Sequence, residues 1–163
     1  MIKNEPTKTN DRTELQRNDF EHRATWFALL IEEAKKQGLS ESFAHNAILH
    51  CGVFHGQNKF PRTDDLTEFA RSFANEDVIN TFEMEILESS DKNLSIDFHY
   101  CPLVKAWQKL GIPEDEMGSL CGIAMDGDRG IISTYPNFTF ELGKTIAKGD
   151  DVCEIRISCS DEK

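Results

Sequence analysis

The spacing of apolar residues changes once along the chain, and this change limits the folds that the chain can adopt. Before about residue 75, apolar residues recur at helical intervals, as in Ala24, Phe27, Ala28 and Ile31. From about residue 78, "NTFEMEILES" and "LSIDFHYC" alternate with a period of two on either side of the turn "SSDKN". The pattern therefore predicts a helical first part followed by a β-hairpin.

Three helices are predicted in the first part, over about 13–37, 40–54 and 63–73. Gly38 marks the end of the first helix, while Ser40 and Thr63 are suitable N-caps for the second and third. Residues 1–12 are polar and show no periodicity, so they predict a loose arm.

The second part returns to helices between two hairpins. A short helix is predicted over about 102–110, and Pro113 begins another. "NFTFELGKTIA", the turn "KGDD" and "VCEIRISC" predict a second hairpin, and "SDEK" a frayed tail. We therefore expect one domain over 1–163, with a helical part at 13–75 and an α+β part at 78–159. The predicted fold class is α+β: an N-terminal helical part, then a mostly antiparallel four-stranded sheet with two helices between its hairpins.

Composition narrows the classes of partner. The 163 residues carry 29 acidic and 18 basic side chains, a net charge of -11, which disfavours nucleic acid and anionic membranes. No apolar run approaches the roughly 18 residues that span a bilayer, and no signal peptide is evident, so a cytoplasmic location is expected. The five cysteines are an odd number and widely spaced, which favours free thiols.

The junction "SIDFHYCPLVKAW" carries the first candidate site. Alternation along a strand places Asp97, His99 and Cys101 on one face. Pro102 favours a first helical turn and so places Cys101 at the N-cap, where unpaired N–H groups lower the pKa of a thiol and suit a bound anion. Cys101 and His99 are therefore candidate catalytic residues. The alternative is that Cys101 packs beneath the sheet.

The segment "CGIAMDGDRG" carries the second candidate site. Asp126 and Asp128 flank a glycine directly before Arg129, so the segment offers a general base and a guanidinium for a substrate carboxylate. A capped, solvated helix end is the alternative. Cys51 and His55 have the spacing of two metal ligands, but no CxxC or HxxxH is present, so no metal and no cofactor is predicted.

Three segments taken together, "YCPLVKAWQKLGI", "LCGIAMDGDRGI" and "FTFELGKTIAKGDDVCEIRI", resemble the L-2-amino-thiazoline-4-carboxylic acid hydrolase family over about residues 80–158. The resemblance implies a hydrolase acting on carbon–nitrogen bonds other than peptide bonds. The family's type activity opens the cyclic amidine of 2-amino-thiazoline-4-carboxylate to give N-carbamoyl-cysteine. The implied partner is a small anionic metabolite, with no nucleic acid and no membrane, and self-association into a homo-oligomer is left open.

This chemistry gives the matching residues plausible roles. Either the Cys101 thiolate adds to the amidine carbon, or Asp126 or Asp128 activates water. Arg129, or the N–H groups that follow Cys101, would bind the substrate carboxylate. Further predicted substrate contacts are Tyr100, Cys121 and Glu154. Two rivals remain: a non-catalytic binding or sensing domain of the 4-vinyl reductase type, and a metal protein using Cys101, Cys121 and Cys153.

Overall fold

The structure is a computed structural model that describes residues 1–160. These residues form seven α-helices and four β-strands: α1 (Asp11–Lys36), α2 (Ser42–Asn58), α3 (Leu66–Phe73), α4 (Glu76–Phe82), β1 (Met84–Ser89), β2 (Asn93–Phe98), α5 (Pro102–Leu110), α6 (Glu114–Ala124), α7 (Asp126–Ser133), β3 (Phe138–Leu142) and β4 (Cys153–Cys159). Within this part of the chain, no helix has both the length and the apolar character needed to cross a bilayer. From Asp161 onward, the predicted frayed tail lies outside the described residues.

The four strands form one antiparallel sheet in the order β1-β2-β4-β3. The last strand of the chain thus lies in the interior of the sheet, because β4 pairs with both β2 and β3. Opposed apolar side chains on β2 and β4 fill the inner face, namely Leu94 with Ile157, Ile96 with Ile155, and Phe98 with Cys153. The predicted α+β class with a four-stranded antiparallel sheet is confirmed.

Two helices appear where the sequence pattern predicted none. Asn80–Phe82 was expected to begin a strand but ends α4, because the Asn75 side chain accepts the N–H of Val78 and caps a helix there. Asp126 begins α7 directly after α6, because Met125 keeps a helical backbone. Three helices therefore lie between the hairpins, and the prediction of two is wrong.

The predicted strand "NFTFELGKTIA" is shorter than expected. β3 ends at Leu142, and Ile146–Lys148 form a single 3₁₀ turn. Asp150 accepts the N–H of Thr145, and Gly149 closes the turn at a positive φ of 92°. The connection to β4 is therefore a folded turn packed against α6.

The first residues of the chain are held in place, contrary to the expected loose arm. Ile2 and Asn4 are buried, and the Asn4 side chain bonds to the backbone of Cys101. Glu83 accepts hydrogen bonds from Thr7 and Lys8 further along the arm. These contacts are long-range in sequence, so local polarity could not reveal them.

Candidate functional site

Cys101 lies where β2 gives way to α5, as predicted, at the N-cap of α5 with Pro102 in the first turn. Asn4 fixes its backbone by accepting the Cys101 N–H at 2.9 Å and donating to its carbonyl oxygen at 2.8 Å. Burial raises the pKa of the Cys101 thiol, and the N–H groups of Leu103 and Val104 offset only part of that rise. The expected lowering of this pKa is therefore wrong, and the thiol is protonated at neutral pH.

Two buried thiols, Cys121 and Cys153, accompany the half-buried Cys101. Burial raises the pKa of Cys121 to about 12, and the neighbouring Cys101 adds to the rise. The pKa of Cys153 is raised by the same causes, and its Sγ accepts the N–H of Ile146 at 3.3 Å. We call Cys101, Cys121 and Cys153 the cysteine cluster. Cys121 and Cys153 belong to the hydrophobic core, and Cys101 packs against it.

The cysteine cluster gives no support to the metal alternative. Among residues 1–160, no three His, Cys, Asp or Glu side chains are arranged to hold a metal ion.

Asp126 lies at the centre of a polar network at the start of α7. One carboxylate oxygen lies 2.6 Å from Nδ1 of His45 on α2, and the other accepts from Nη1 of Arg129 at 2.7 Å. The Asp126 side chain is only 14% exposed. Nη1 of Arg129 also donates to the carbonyl oxygen of Gly122 at 3.0 Å, so α2, α6 and α7 are linked at this point.

Arg129 retains unused donors. Within residues 1–160 its hydrogen bonds all come from Nη1, which leaves Nε and Nη2 able to bind an anion. Its guanidinium carbon lies 5.9 Å from the centre of the Phe140 ring. Burial raises the pKa of Cys121, and the charge of Arg129 opposes part of that rise, so this polar network lies near the cysteine cluster.

Asp128 occupies a different environment. Burial raises its pKa to about 6, while the positive charges of Arg23 on α1 and Arg129 act in the opposite direction. Within the described part of the chain, Asp128 makes no hydrogen bond and no ion pair closer than 4.0 Å. A partly buried carboxylate with a raised pKa and unused acceptor sites can accept a proton from water near neutral pH.

Close packing of α2 against α7 sets this geometry. A Cβ on Gly52 would press on the carbonyl oxygen of Gly127 and lie 2.8 Å from Cα of Gly130. Only glycine allows the two backbones to approach this closely. The approach brings His45, on the same helix as Gly52, to Asp126.

Other predicted site residues lie elsewhere. Nε2 of the exposed His99 is 2.9 Å from a carboxylate oxygen of Glu85, on the outer side of the edge strand β1. Asp97 accepts from Arg156 at 2.8 Å. The predicted alignment of Asp97, His99 and Cys101 therefore does not form an assembled triad, because each side chain has a different neighbour.

Tyr100 and Glu154 also lie apart from the polar network. Tyr100 is buried beneath the guanidinium of Arg17, which lies 4.5 Å from its ring centre, and burial raises the pKa of its hydroxyl. Glu154 lies 3.8 Å from Lys144 on the sheet. Neither contact brings the side chain of Tyr100 or Glu154 to the cysteine cluster or to Asp128.

Sequence reasoning missed His45 and Arg23. The spacing Gly52-x-x-x-Gly56 was the available signal for His45, because small residues at this interval allow a close helix partner. No local pattern distinguishes Arg23, whose position beside Asp128 depends on how α1 packs.

The fold and these side chains define a small α+β protein in which a polar network around Asp126 links α2, α6 and α7. The chain belongs to the L-2-amino-thiazoline-4-carboxylic acid hydrolase family, whose model matches residues 17–157. The resemblance seen in the second part of the sequence is thus confirmed, and the match extends through the helical first part. No curated protein matches the chain.

Among solved structures, the chain is similar to a trafficking protein particle complex subunit 3 from Naegleria fowleri, covalently bound to palmitic acid. The sequences are 18% identical, the match covers 93% of this chain and 84% of that chain, and the TM-score is 0.41. A similarity at this level supports no inference about the function of this chain.

Proposed function

We propose that the protein hydrolyses a small cyclic amidine bearing a carboxylate, with 2-amino-thiazoline-4-carboxylate as the first candidate. Membership of the family supports the reaction class. The observation that carries the proposal is the Asp128 carboxyl, which has no hydrogen-bond partner among residues 1–160 and whose pKa burial raises to about 6 against the charges of Arg23 and Arg129. In this proposal Asp128 is the general base, and the free donors of Arg129 bind the substrate carboxylate.

The proposed reaction begins with the protonated amidine. Asp128 takes a proton from water as the water oxygen forms a bond to the amidine carbon, giving a neutral tetrahedral intermediate. The carbon–sulfur bond then breaks, and its electron pair leaves on sulfur. Asp128 returns its proton to the thiolate, the new hydroxyl loses a proton to solvent, and N-carbamoyl-cysteine results.

Water activation is favoured over attack by Cys101. A thiol acts as a nucleophile only after losing its proton, and burial opposes that loss at Cys101. Asp126 is also less suited to act as the base, because both of its oxygens already have partners in His45 and Arg129. We assign Asp126 the role of positioning Arg129.

Incubation of the purified protein with 2-amino-thiazoline-4-carboxylate tests the proposal, with N-carbamoyl-cysteine measured by liquid chromatography and mass spectrometry. We expect turnover, and a kcat that falls about tenfold per pH unit below pH 6, because protonated Asp128 cannot act as a base. Asp128→Asn should lower kcat by at least about 100-fold. The matched control is Asp115→Asn, an exposed aspartate on α6, which should retain full activity.

Three results would contradict the proposal in different ways. Unchanged turnover in Asp128→Asn would remove Asp128 from the chemistry. If Cys101→Ala abolished turnover while Asp128→Asn kept it, the thiol would be the nucleophile. Binding of the substrate by calorimetry without any product would favour the binding or sensing alternative.

A further inference from the structure

We propose that His45 is a positioning residue for the Arg129 guanidinium, and that it thereby makes the site selective for substrates that carry a carboxylate. The proposal rests on the proposed function, in which Arg129 binds that carboxylate. His45 itself does not touch the substrate. It acts through Asp126, whose two oxygens contact His45 and Arg129.

Arg129 keeps free the part of its guanidinium that best fits a carboxylate. Nη1 donates to Asp126 and to the carbonyl oxygen of Gly122, whereas Nε and Nη2 make no hydrogen bond among residues 1–160. The N–H groups of Nε and Nη2 point in parallel and form a fork that can bind both oxygens of a carboxylate. The side chain is 40% exposed, so a small anion can approach it from solvent.

Arg12 of the same chain shows this mode of binding. Its Nε donates to one carboxylate oxygen of Asp77 at 2.8 Å, and its Nη2 donates to the other at 2.6 Å. Arg12 therefore uses on Asp77 the two donors that Arg129 leaves free. A carboxylate from outside the chain is the matching partner for Arg129.

His45 fixes the Asp126 carboxylate that holds Nη1. An ionised carboxylate only accepts hydrogen bonds, so Nδ1 of His45 carries a proton and donates it. The bonds from His45, at 2.6 Å, and from Arg129, at 2.7 Å, end on different oxygens of Asp126. Together they fix both side-chain torsions of Asp126, because rotation about either one would move an oxygen away from its partner.

Helix packing makes the His45 side of this contact rigid. Gly52 lies seven residues after His45 on the same side of α2, and a Cβ there would overlap the carbonyl oxygen of Gly127. Gly127 directly follows Asp126, so the close contact of α2 with α7 sets the distance from His45 to Asp126. With the Asp126 side chain only 14% exposed, water competes little for its oxygens.

A guanidinium that is held in place binds an anion at a lower entropic cost. The arginine side chain loses rotamer freedom when a ligand orders it, and donors that are ordered beforehand avoid that loss. Removal of the His45 bond should therefore weaken substrate binding and leave the chemistry at Asp128 unchanged. A bond that only joined α2 to α7 would instead change the affinity for every ligand alike.

Kinetics with a substrate and a matched inhibitor test the proposal. We expect His45→Ala to raise KM for 2-amino-thiazoline-4-carboxylate about five- to tenfold, with kcat within about twofold of the wild type. The inhibition constant of 2-amino-thiazoline, which lacks the carboxylate, should be the same for both proteins. His45→Asn should restore KM, because its amide nitrogen lies as many bonds from Cα as Nδ1 of histidine.

His50→Ala is the matched control. His50 is an exposed histidine on the same helix, and within the described part of the chain its side chain makes no hydrogen bond or ion pair. This variant should keep both kinetic constants. Thermal unfolding followed by circular dichroism shows which variants fold. If His45→Ala does not fold, His45→Gln replaces it, because its amide nitrogen lies one bond further from Cα than Nδ1.

Three kinetic results would overturn the proposal. The first is an equal rise in KM and in the inhibition constant of 2-amino-thiazoline. The second is a fall in kcat at an unchanged KM. The third is a raised KM that His45→Asn does not restore.

A measurement without substrate separates this proposal from the proposed hydrolysis. The hydrogen bonds of Nη1 restrict rotation about the bond between Nε and Cζ of Arg129. Nitrogen nuclear magnetic resonance should therefore show separate Nη1 and Nη2 signals in the wild type and in His45→Asn, and one averaged signal in His45→Ala. Averaged signals in the wild type, or separate signals in His45→Ala, would overturn the role of His45 even if hydrolysis is observed. The expected pattern would support that role even if the wild type does not turn over 2-amino-thiazoline-4-carboxylate.

Discussion

Asp126 and Asp128 lie two residues apart on α7 and meet opposite environments. A helix turns by about 200° over two residues, so the two side chains leave on different sides. Asp126 contacts His45 and Arg129 through both oxygens, whereas Asp128 is buried enough for its pKa to rise and has no hydrogen-bond partner among the described residues. The sequence marked both as candidate bases, and their neighbours are the reason that we propose a positioning role for Asp126 and a catalytic role for Asp128.

Residue environment also decides the reactivity of Cys101. We expect iodoacetamide at pH 8 to modify the cysteine cluster at least about tenfold more slowly in the folded protein than in urea. Burial raises the pKa of each of the three thiols and restricts access of the reagent. Mass spectrometry of peptides from both samples measures the rates at Cys101, Cys121 and Cys153. Equal rates at Cys101 in the two samples would restore it as a nucleophile.

At the scale of elements, the contact between α2 and α7 carries the site. We expect Gly52→Ala to lower the free energy of unfolding by about 2 kcal/mol, because the added methyl group forces the two backbones apart. This cost exceeds the gain in helix propensity from alanine, which is about 1 kcal/mol. Urea denaturation gives the difference.

Gly122→Ala is the matched control for that prediction. Gly122 lies within α6, and a Cβ there would meet nothing within 4 Å. The same substitution should therefore stabilise the protein by about 0.5 to 1 kcal/mol. A loss of stability at Gly122 equal to that at Gly52 would show that close packing is not the cause.

At the scale of the whole molecule, Asp128 links the proposed activity to stability. Its pKa of about 6 lies above the ordinary value of 3.8, so between these values the folded chain binds more protons than the unfolded chain. The free energy of unfolding contributed by this group therefore falls as the pH rises from about 4 to 6. Ionised Asp128 thus destabilises the fold at neutral pH.

Asp128→Asn should remove this effect. We expect the variant to be more stable than the wild type at pH 7.5 by up to about 2 kcal/mol, and to match it at pH 4. Urea denaturation at both pH values measures the difference, and Asp115→Asn should show no such dependence. The raised pKa of Asp128 would be contradicted if the free energy of unfolding of the variant, minus that of the wild type, were smaller at pH 7.5 than at pH 4.

The first residues of the chain join distant parts of the molecule. Glu83 has a left-handed backbone with φ of 49° and accepts hydrogen bonds from the arm, while its carboxylate lies 3.1 Å from the buried Arg17 of α1. The Asn4 side chain forms hydrogen bonds with the backbone N–H and carbonyl oxygen of Cys101. A polar segment without periodicity is therefore held against the fold at Asn4, Thr7 and Lys8, because their partners Cys101 and Glu83 lie 75 residues or more away in sequence.

The sequence by itself determined the features that depend on neighbours along the chain. Periodicity predicted the α1 helix and the β-hairpin, Pro102 placed Cys101 at a helix start, and three segments indicated the family. Each of these depends on local geometry, in which side-chain direction repeats with a fixed period.

Only the tertiary structure decided which side chains meet and how far they are removed from water. It separated His99 from Cys101, brought His45 to Asp126, and placed Arg23 near Asp128. A pKa depends on burial and on charges within a few ångströms, and both are set by helix packing. The identity of Cys101 was therefore visible in the sequence, whereas its protonation was fixed by the fold.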